Sequence, residues 1–188
     1  MRAFFCIPIP DHLHGTIHKT AEHLNSHTKM RANWVSRQNY HLTLQFLGNI
    51  DPELTIELDD LSRDLCNGSA AFECILDRIG AFPSLDRARV IWLGGEAPRP
   101  LQRLSQAFSE GLVDLGFREA KKESLVHVTM ARIKGSPDPA LPGLIKGLNP
   151  LSPMRIPVDR ILLMESTLTS QGPAYVPLFT TRFGRSEG

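Results

Sequence analysis

His41-Leu42-Thr43-Leu44 and His127-Val128-Thr129-Met130 are two copies of one short pattern, and they begin 86 residues apart in a chain of 188 residues. We call them the first motif (residues 41–44) and the second motif (residues 127–130). In a β-strand, alternate side chains point to the same face, so each motif presents a histidine and a threonine together, about 7 Å apart along the strand. The apolar residues between them face the opposite way. Each half of the chain is therefore predicted to contain a strand that lies between the core and a cleft.

The histidines outside the two motifs lie in a segment with helical spacing. His14 and His18, and His23 and His27, are four residues apart, the spacing at which a helix can chelate a metal ion. A solvent-facing helix is the favoured interpretation, because neither pair has the neighbouring helical glutamate of a zinc protease or an evident third ligand. No metal site is predicted.

Composition describes an ordinary globular protein with 41% hydrophobic residues and a formal net charge of +1. A net charge so close to zero argues against a protein that coats nucleic acid through a basic surface. Any affinity for RNA should therefore be confined to a pocket. Cys6, Cys66 and Cys74 have no metal-ligand spacing and fit free thiols in a reducing compartment. No apolar run reaches the length of a membrane span or a signal-peptide core, and we expect a cytoplasmic protein.

Strand-like and helix-like segments follow each other in a similar order in both halves. The expected fold is α+β with two pseudo-symmetric lobes, each an antiparallel-rich sheet with helices packed outside and the active-site cleft between them. One bilobal domain is expected over residues 1–188, with 184–188 as a frayed tail. Trp34, Phe46 and Trp92 lie in apolar runs and are predicted to be core residues. The strands are expected at residues 3–7, near 34, and at 41–47, 72–79, 90–93, 126–130, 156–164 and 175–179, and the helices at 11–24, 51–65, 101–115 and 141–148.

The two motifs and their flanks resemble the paired signatures of the two-histidine phosphoesterases. The likeness is greatest to the bacterial and archaeal RNA 2′,3′-cyclic phosphodiesterases, historically called 2′-5′ RNA ligases, and it covers nearly the whole chain. One departure is Val126, where that family usually has proline before the second histidine. Further matches are Arg2-Ala3-Phe4-Phe5, Gly80-Ala81-Phe82-Pro83, Arg89-Val90-Ile91-Trp92-Leu93, Leu115-Gly116-Phe117, Glu165-Ser166, Gly172 and Tyr175.

The resemblance implies a phosphodiesterase that needs no metal or other cofactor and opens RNA 2′,3′-cyclic phosphate ends to 2′-phosphates. It assigns His41 as general acid and His127 as general base, with Arg132 as a phosphate or nucleotide contact. Two imidazoles with ordinary pKa values of about 6.5 suit this division near neutral pH, and both limbs of the pH–rate profile are expected between about pH 5 and 8. Thr43 and Thr129 are expected to donate hydrogen bonds to the phosphate oxygens. Strict alternation from His127 puts Arg132 on the face opposite the histidine. Its predicted role therefore requires a bulge in the strand, a strand that ends before Arg132, or a side chain long enough to reach round.

Two other functions are compatible with the sequence. One is a module that binds a nucleotide or RNA terminus without turning it over, and the other is a two-histidine enzyme that acts on a different cyclic or 2′-5′-linked nucleotide. The intact pair His41 and His127 favours an enzyme, because a pure binder could lose either histidine. The expected partners are RNA termini or nucleotides with a 2′,3′-cyclic phosphate, tRNA-derived ends among them, with 2′-5′ joining as the reverse reaction. No membrane and no obligate protein partner are inferred.

Overall fold

A computed structural model describes residues 1–119, 124–170 and 172–184. Within these ranges the chain forms ten strands and four α-helices. Residues 185–188 of the predicted tail lie outside the described residues. The elements are, in order, β1 (Arg2–Pro8), α1 (Asp11–Ser26), β2 (Arg31–Trp34), β3 (His41–Asn49), α2 (Thr55–Asn67), β4 (Phe72–Leu76), β5 (Arg78–Phe82), β6 (Val90–Glu96), α3 (Arg99–Asp114), β7 (Leu125–Lys134), α4 (Leu141–Leu148), β8 (Met154–Val158), β9 (Arg160–Thr169) and β10 (Gly172–Arg182).

The strands of the described residues form one large and one small antiparallel sheet. The large sheet has the order β10-β9-β1-β3-β7-β6-β5, with β2 paired to β7. The small sheet contains β4 and β8. Strands β3 and β7, which carry the two motifs, are neighbours at the centre of the large sheet. The predicted α+β fold with antiparallel sheets is therefore confirmed.

The two lobes do not coincide with the two halves of the sequence. In one lobe β3 pairs with β1 of its own half, and β1 pairs with β9 of the other half. In the other lobe β7 pairs with β6 of its own half, and β6 pairs with β5 of the other half. The same arrangement thus occurs twice, related by a pseudo-twofold axis, and each lobe is completed by strands from the opposite half.

Helices cover one face of the large sheet. Phe108 on α3 contacts Phe5 on β1, with ring centroids 5.0 Å apart, and α2 packs against β10. In the other lobe α1 packs near β7 and α4 near β5. Phe5, Leu42 and Val128 are at most 1% exposed on this face. The opposite face of β3 and β7 carries the histidines.

Two of the predicted strands are wrong for the same reason. The structure divides each of them into two strands that belong to different sheets. Residues 72–79 divide into β4, in the small sheet, and β5, in the large sheet. Residues 156–164 divide likewise into β8 and β9. The chain changes sheet across Asp77 and Asp159, and their backbones are held by other segments: Asp77 N–H donates to the Gly94 carbonyl, and the Asp159 carbonyl accepts from Phe183 N–H.

Cys6, Cys66 and Cys74 are buried free thiols, as predicted. None of the helices in the described ranges has the length and apolar character needed to cross a membrane.

Candidate active site

The two motifs meet at one register pair, in which Leu42 lies opposite Val128. Both of these side chains are buried on the helix-covered face. The residues before and after them in each strand must then point to the other face, where the histidine and threonine of both motifs are half-buried. Because the strands are antiparallel, His41 lies on the side of Thr129, and Thr43 lies on the side of His127. All four predicted side chains are brought together at the centre of one cleft.

The imidazole of His41 is held in a defined orientation. Its Nδ1 lies 2.8 Å from the Asn39 carbonyl oxygen, and since a carbonyl can only accept, Nδ1 carries the proton and donates it. Nε2 is therefore the nitrogen available to a substrate. The ring packs against Phe4, with centroids 4.9 Å apart, and meets Tyr175 edge-on at 5.3 Å. Tyr175 was not among the predicted site residues, although it was one of the family matches.

Two aromatic rings of the described residues flank the imidazole of His127. Phe82 meets it edge-on at 5.1 Å between centroids, and Trp92 lies at 6.3 Å. The Trp92 indole lies over Gly80, where an added Cβ would come within 2.2 Å of the ring. A glycine is therefore needed at position 80 for Trp92 to stand beside His127.

Burial lowers the pKa of both histidines. The pKa of His127 falls to about 4, chiefly because the ring is desolvated and further because of the positive charges of Arg132 and His41. The pKa of His41 is also lowered by burial, but its hydrogen bond to the Asn39 carbonyl favours the charged form and opposes the effect, while Arg132 adds to it. In the unliganded site His127 is therefore neutral over the physiological range, whereas His41 has a feature that supports protonation.

A bulge in β7 directs Arg132 into the cleft. Met130 has no opposite residue on β6, because Thr129 pairs with Trp92 and Ala131 pairs with Ile91. Met130 and Ala131 are both buried, and the alternation then resumes with Arg132 exposed. The extra residue moves Arg132 to the face of the histidine and threonine. Its charge acts on both histidines. The strand therefore contains the bulge that the predicted role of Arg132 requires.

The same bulge occurs at the equivalent position of β3 and corrects one prediction. Leu44 has no opposite residue on β1, and Leu44 and Gln45 are both buried. Phe46, the counterpart of Arg132, is consequently turned toward the cleft and is 67% exposed. The prediction that Phe46 is a core residue is wrong, whereas Trp92 is buried as predicted. The direction of the Phe46 side chain could be predicted from the alternation in β3 if the position of the bulge were known.

Other polar groups near the motifs differ in their availability. Within the described ranges, neither the Thr43 nor the Thr129 hydroxyl makes a hydrogen bond, so both can donate to a ligand.

The histidines of the helical segment do not form a metal site. His14 and His18 contact Tyr40, while His23 and His27 are exposed and stack on each other, with ring centroids 4.2 Å apart. Among the described residues there is no group of three or more His, Cys, Asp or Glu side chains that could hold a metal ion.

A cavity of about 310 Å³ adjoins the site. Thr43, Phe46 and His127 line it from the strands, and Gln102 lines it from α3. His41, Thr129 and Arg132 do not line it. The cavity therefore borders the cleft on the side of Thr43 and His127, and does not contain the whole site.

Comparison with known proteins agrees with this geometry. The family model described as LigT like Phosphoesterase matches residues 7–92 and 94–175, and each range contains one motif. A protein of Aeropyrum pernix named RNA 2′,3′-cyclic phosphodiesterase is 33% identical over 163 residues, which cover 86% of this chain and 92% of the relative. A protein of the same name from Thermotoga maritima is 31% identical over 186 residues, which cover 97% of this chain and 96% of the relative.

Solved structures share the fold over the whole chain. The structure of E. coli LigT complexed with 3′-AMP has a TM-score of 0.75 and 25% identity, and the match covers 97% of each chain. The protein TT0787 of Thermus thermophilus has a TM-score of 0.81 at 24% identity over all of both chains, a likeness of fold. With the family model matching both halves and paired motifs on adjacent strands, the chain belongs to the LigT-like phosphoesterase family.

Proposed function

We propose that this protein hydrolyses RNA 2′,3′-cyclic phosphate ends to 2′-phosphates without a metal ion. The observation that carries the proposal is the convergence of two His-Thr pairs on one cleft around the Leu42–Val128 pair. Opening a cyclic phosphate requires a base beside the attacking water and an acid beside the departing ribose oxygen, on opposite sides of phosphorus. Relatives named RNA 2′,3′-cyclic phosphodiesterase support this substrate class.

His127 acts as the general base. Its pKa of about 4 keeps the ring neutral at physiological pH, so a nitrogen lone pair is free to accept a proton from water. The water oxygen then forms a bond to phosphorus. Proton transfer of this kind typically contributes about 10²- to 10⁴-fold in rate.

His41 acts as the general acid. Nδ1 donates to the Asn39 carbonyl, so Nε2 faces the substrate and gives its proton to the ribose O3′ as the P–O3′ bond breaks. The product keeps the phosphate on O2′. Burial lowers the pKa of His41, and the negative charge of a bound phosphate opposes that shift and favours the protonated ring.

Thr43, Thr129 and Arg132 hold the negative charge of the phosphate. The threonine hydroxyls are free to donate to the non-bridging oxygens, where charge must be stabilised as the fifth bond to phosphorus forms. Arg132 is brought to the same face by the bulge at Met130. These donors supply, from the protein, the stabilisation for which other phosphodiesterases use a metal ion.

Phe46 supports recognition of a nucleoside rather than phosphate alone. Its ring is 67% exposed on the cleft face, and an exposed aromatic face can stack on a base, a contact worth about 1 to 3 kcal/mol. RNA termini, including tRNA-derived ends, are the proposed substrates. Joining of ends through a 2′-5′ bond uses the same site when a 5′-hydroxyl takes the place of water: its oxygen bonds to phosphorus, its proton passes to the base, and the P–O3′ bond breaks.

Product identification tests the proposal. The purified protein is incubated with EDTA and a panel of 2′,3′-cyclic nucleotides and RNAs with cyclic ends, and the position of the product phosphate is determined. We expect 2′-phosphates. Tight binding of phosphate ends with no turnover at any pH would instead support a binding module, and turnover of another cyclic or 2′-5′-linked nucleotide alone would support a different enzyme of the superfamily.

A further inference from the structure

Three exposed cations lie on the cleft face of β2 and β7 beyond the second motif. After the bulge, Arg132 and Lys134 are both exposed and separated by one buried residue, so they share a face. Arg31 on β2 is the register partner of Lys134 and is also exposed, and directly opposed residues of antiparallel strands share a face. We call Arg31, Arg132 and Lys134 the basic strip.

The basic strip breaks the pseudo-twofold symmetry of the cleft. In the first lobe the counterpart of Arg132 is Phe46, and the residue 86 positions before Lys134 is Gly48. The bulge after each motif is repeated, but the charge that it turns toward the cleft is not. In the first lobe an exposed cation, Arg2, lies on β1 instead, and its charge acts on Tyr175. Because Phe46 follows the equivalent bulge in β3, the bulge does not require a cation at that position.

The cations of the basic strip are available to a ligand. None of the ion pairs among the described residues involves Arg31, Arg132 or Lys134. Asp138 accepts hydrogen bonds from the Lys29 and Ala140 amides, so both of its carboxylate oxygens bind backbone groups of two connecting segments. Lys134 lies about 7 Å farther along β7 than Arg132, and Arg31 lies beside it at about 5 Å between Cα atoms. Positive charge therefore continues from the phosphate site toward one end of the cleft.

We propose that the basic strip binds the phosphate backbone of the RNA on the 5′ side of the terminal nucleotide. This inference rests on the proposed function, since it takes the cyclic phosphate to lie between the two histidines. The nucleotides that precede the end each bring one phosphate, and a row of cations beside the site is how proteins follow a single strand without reading its sequence. The protein then acts on ends of RNA chains in preference to free cyclic mononucleotides.

The test compares an RNA of about six nucleotides ending in a 2′,3′-cyclic phosphate with the corresponding cyclic mononucleotide. The variants are Arg31→Ala with Lys134→Ala, and Lys134→Glu alone. Arg103→Ala is the matched control, because Arg103 is exposed on α3, on the opposite side of the sheet. The salt dependence of kcat/KM is measured for both substrates, and thermal unfolding confirms that each variant is folded.

We expect the double variant to lose about 10-fold in kcat/KM on the RNA, with a salt slope reduced by about 1.4, the value for two single-strand phosphate contacts. The mononucleotide, which does not reach the basic strip, should change less than about twofold. Equal losses on both substrates, or no loss on either, would overturn the inference. Binding of an RNA ending in 2′-phosphate, measured by titration, gives the same comparison without turnover. A failure of the proposed function alone would leave that binding difference intact.

Discussion

Leu42 and Val128 are the single register pair between the described strands β3 and β7, and they fix the relationship of the two histidines. Each histidine directly precedes one member of the pair. In antiparallel strands His41 and His127 therefore occupy diagonal positions on the opposite face, one on each side of this single pair. A separation above about 10 Å would be too great for both rings to flank one phosphate.

The threonine hydroxyls are expected to act in the transition state rather than in folding. Thr43→Ala and Thr129→Ala should each lower kcat by about 10- to 10³-fold, because each removes one donor to the phosphate. Thr→Ser substitutions keep the donor and should retain most of the activity. Steady-state kinetics and thermal unfolding of the four variants check this. A Ser variant as slow as its Ala counterpart would argue that packing of the methyl group, and not the hydroxyl, is what matters.

The pH dependence of kcat/KM should lie on the acidic side of neutrality. Neutral His127 is lost as pH falls through about 4, and protonated His41 is lost as pH rises through a pKa below 6.5. The rate should therefore rise through about pH 4 and fall before about pH 6.5, a lower window than the ordinary imidazole pKa values predicted. Because the two rings interact, the limbs belong to the pair. Two limbs at or above pH 6.5 would contradict the burial of the site.

Protonation of His127 should also weaken the fold. Its pKa is about 4 in the folded protein and about 6.5 in the unfolded chain. The unfolded chain therefore binds this proton first, and the free energy of unfolding falls as pH drops from about 6.5 to 4. Over this pH range the free energy of unfolding of His127→Gln should fall by roughly 1 to 2 kcal/mol less than that of the wild type. This figure allows for solvent screening at a half-buried site. Urea unfolding at pH 7.5 and 4.5 measures this difference. Equal losses of unfolding free energy in the wild type and the variant would show that His127 is not the group responsible.

Removing the charge of Arg132 should raise the pKa of both histidines. Its guanidinium lowers the pKa of His41 and of His127, so Arg132→Gln should shift both imidazole titrations upward in NMR, whereas Arg132→Lys should leave them near the wild-type values. The Gln variant should also lose about 10- to 10³-fold in kcat/KM as one lost phosphate contact. Unchanged titrations in the Gln variant would mean that the bulge does not bring Arg132 to the site.

The central strands could be predicted from the sequence because their pattern is local. A histidine, a threonine and intervening apolar residues at alternate positions specify both a strand and a half-buried face. The repetition of the motif after 86 residues then indicated pseudo-symmetry and a shared cleft. The identities of the four central side chains followed from these two observations alone.

Other features depend on tertiary contacts and could not be predicted. The chain passes from one sheet to the other across Asp77 and Asp159, inside runs that read as one strand, because partner strands and not local propensity decide where pairing changes. The bulges at Leu44 and Met130 reverse the alternation and so determine where Phe46 and Arg132 point. Completion of each lobe by strands of the other half also has no local signal.

In the proposed mechanism, His41 and His127 act together on one phosphate without a metal ion. The most direct test measures hydrolysis of an RNA ending in a 2′,3′-cyclic phosphate, in EDTA, by the wild type, His41→Ala, His127→Ala and the double variant, with His23→Ala as an exposed control. We predict full wild-type and control activity, losses of about 10²- to 10⁴-fold in each single variant, and a double variant scarcely slower than the worse single one. Loss of wild-type activity in EDTA with rescue by zinc or manganese, or near-normal turnover in either single variant, would contradict it.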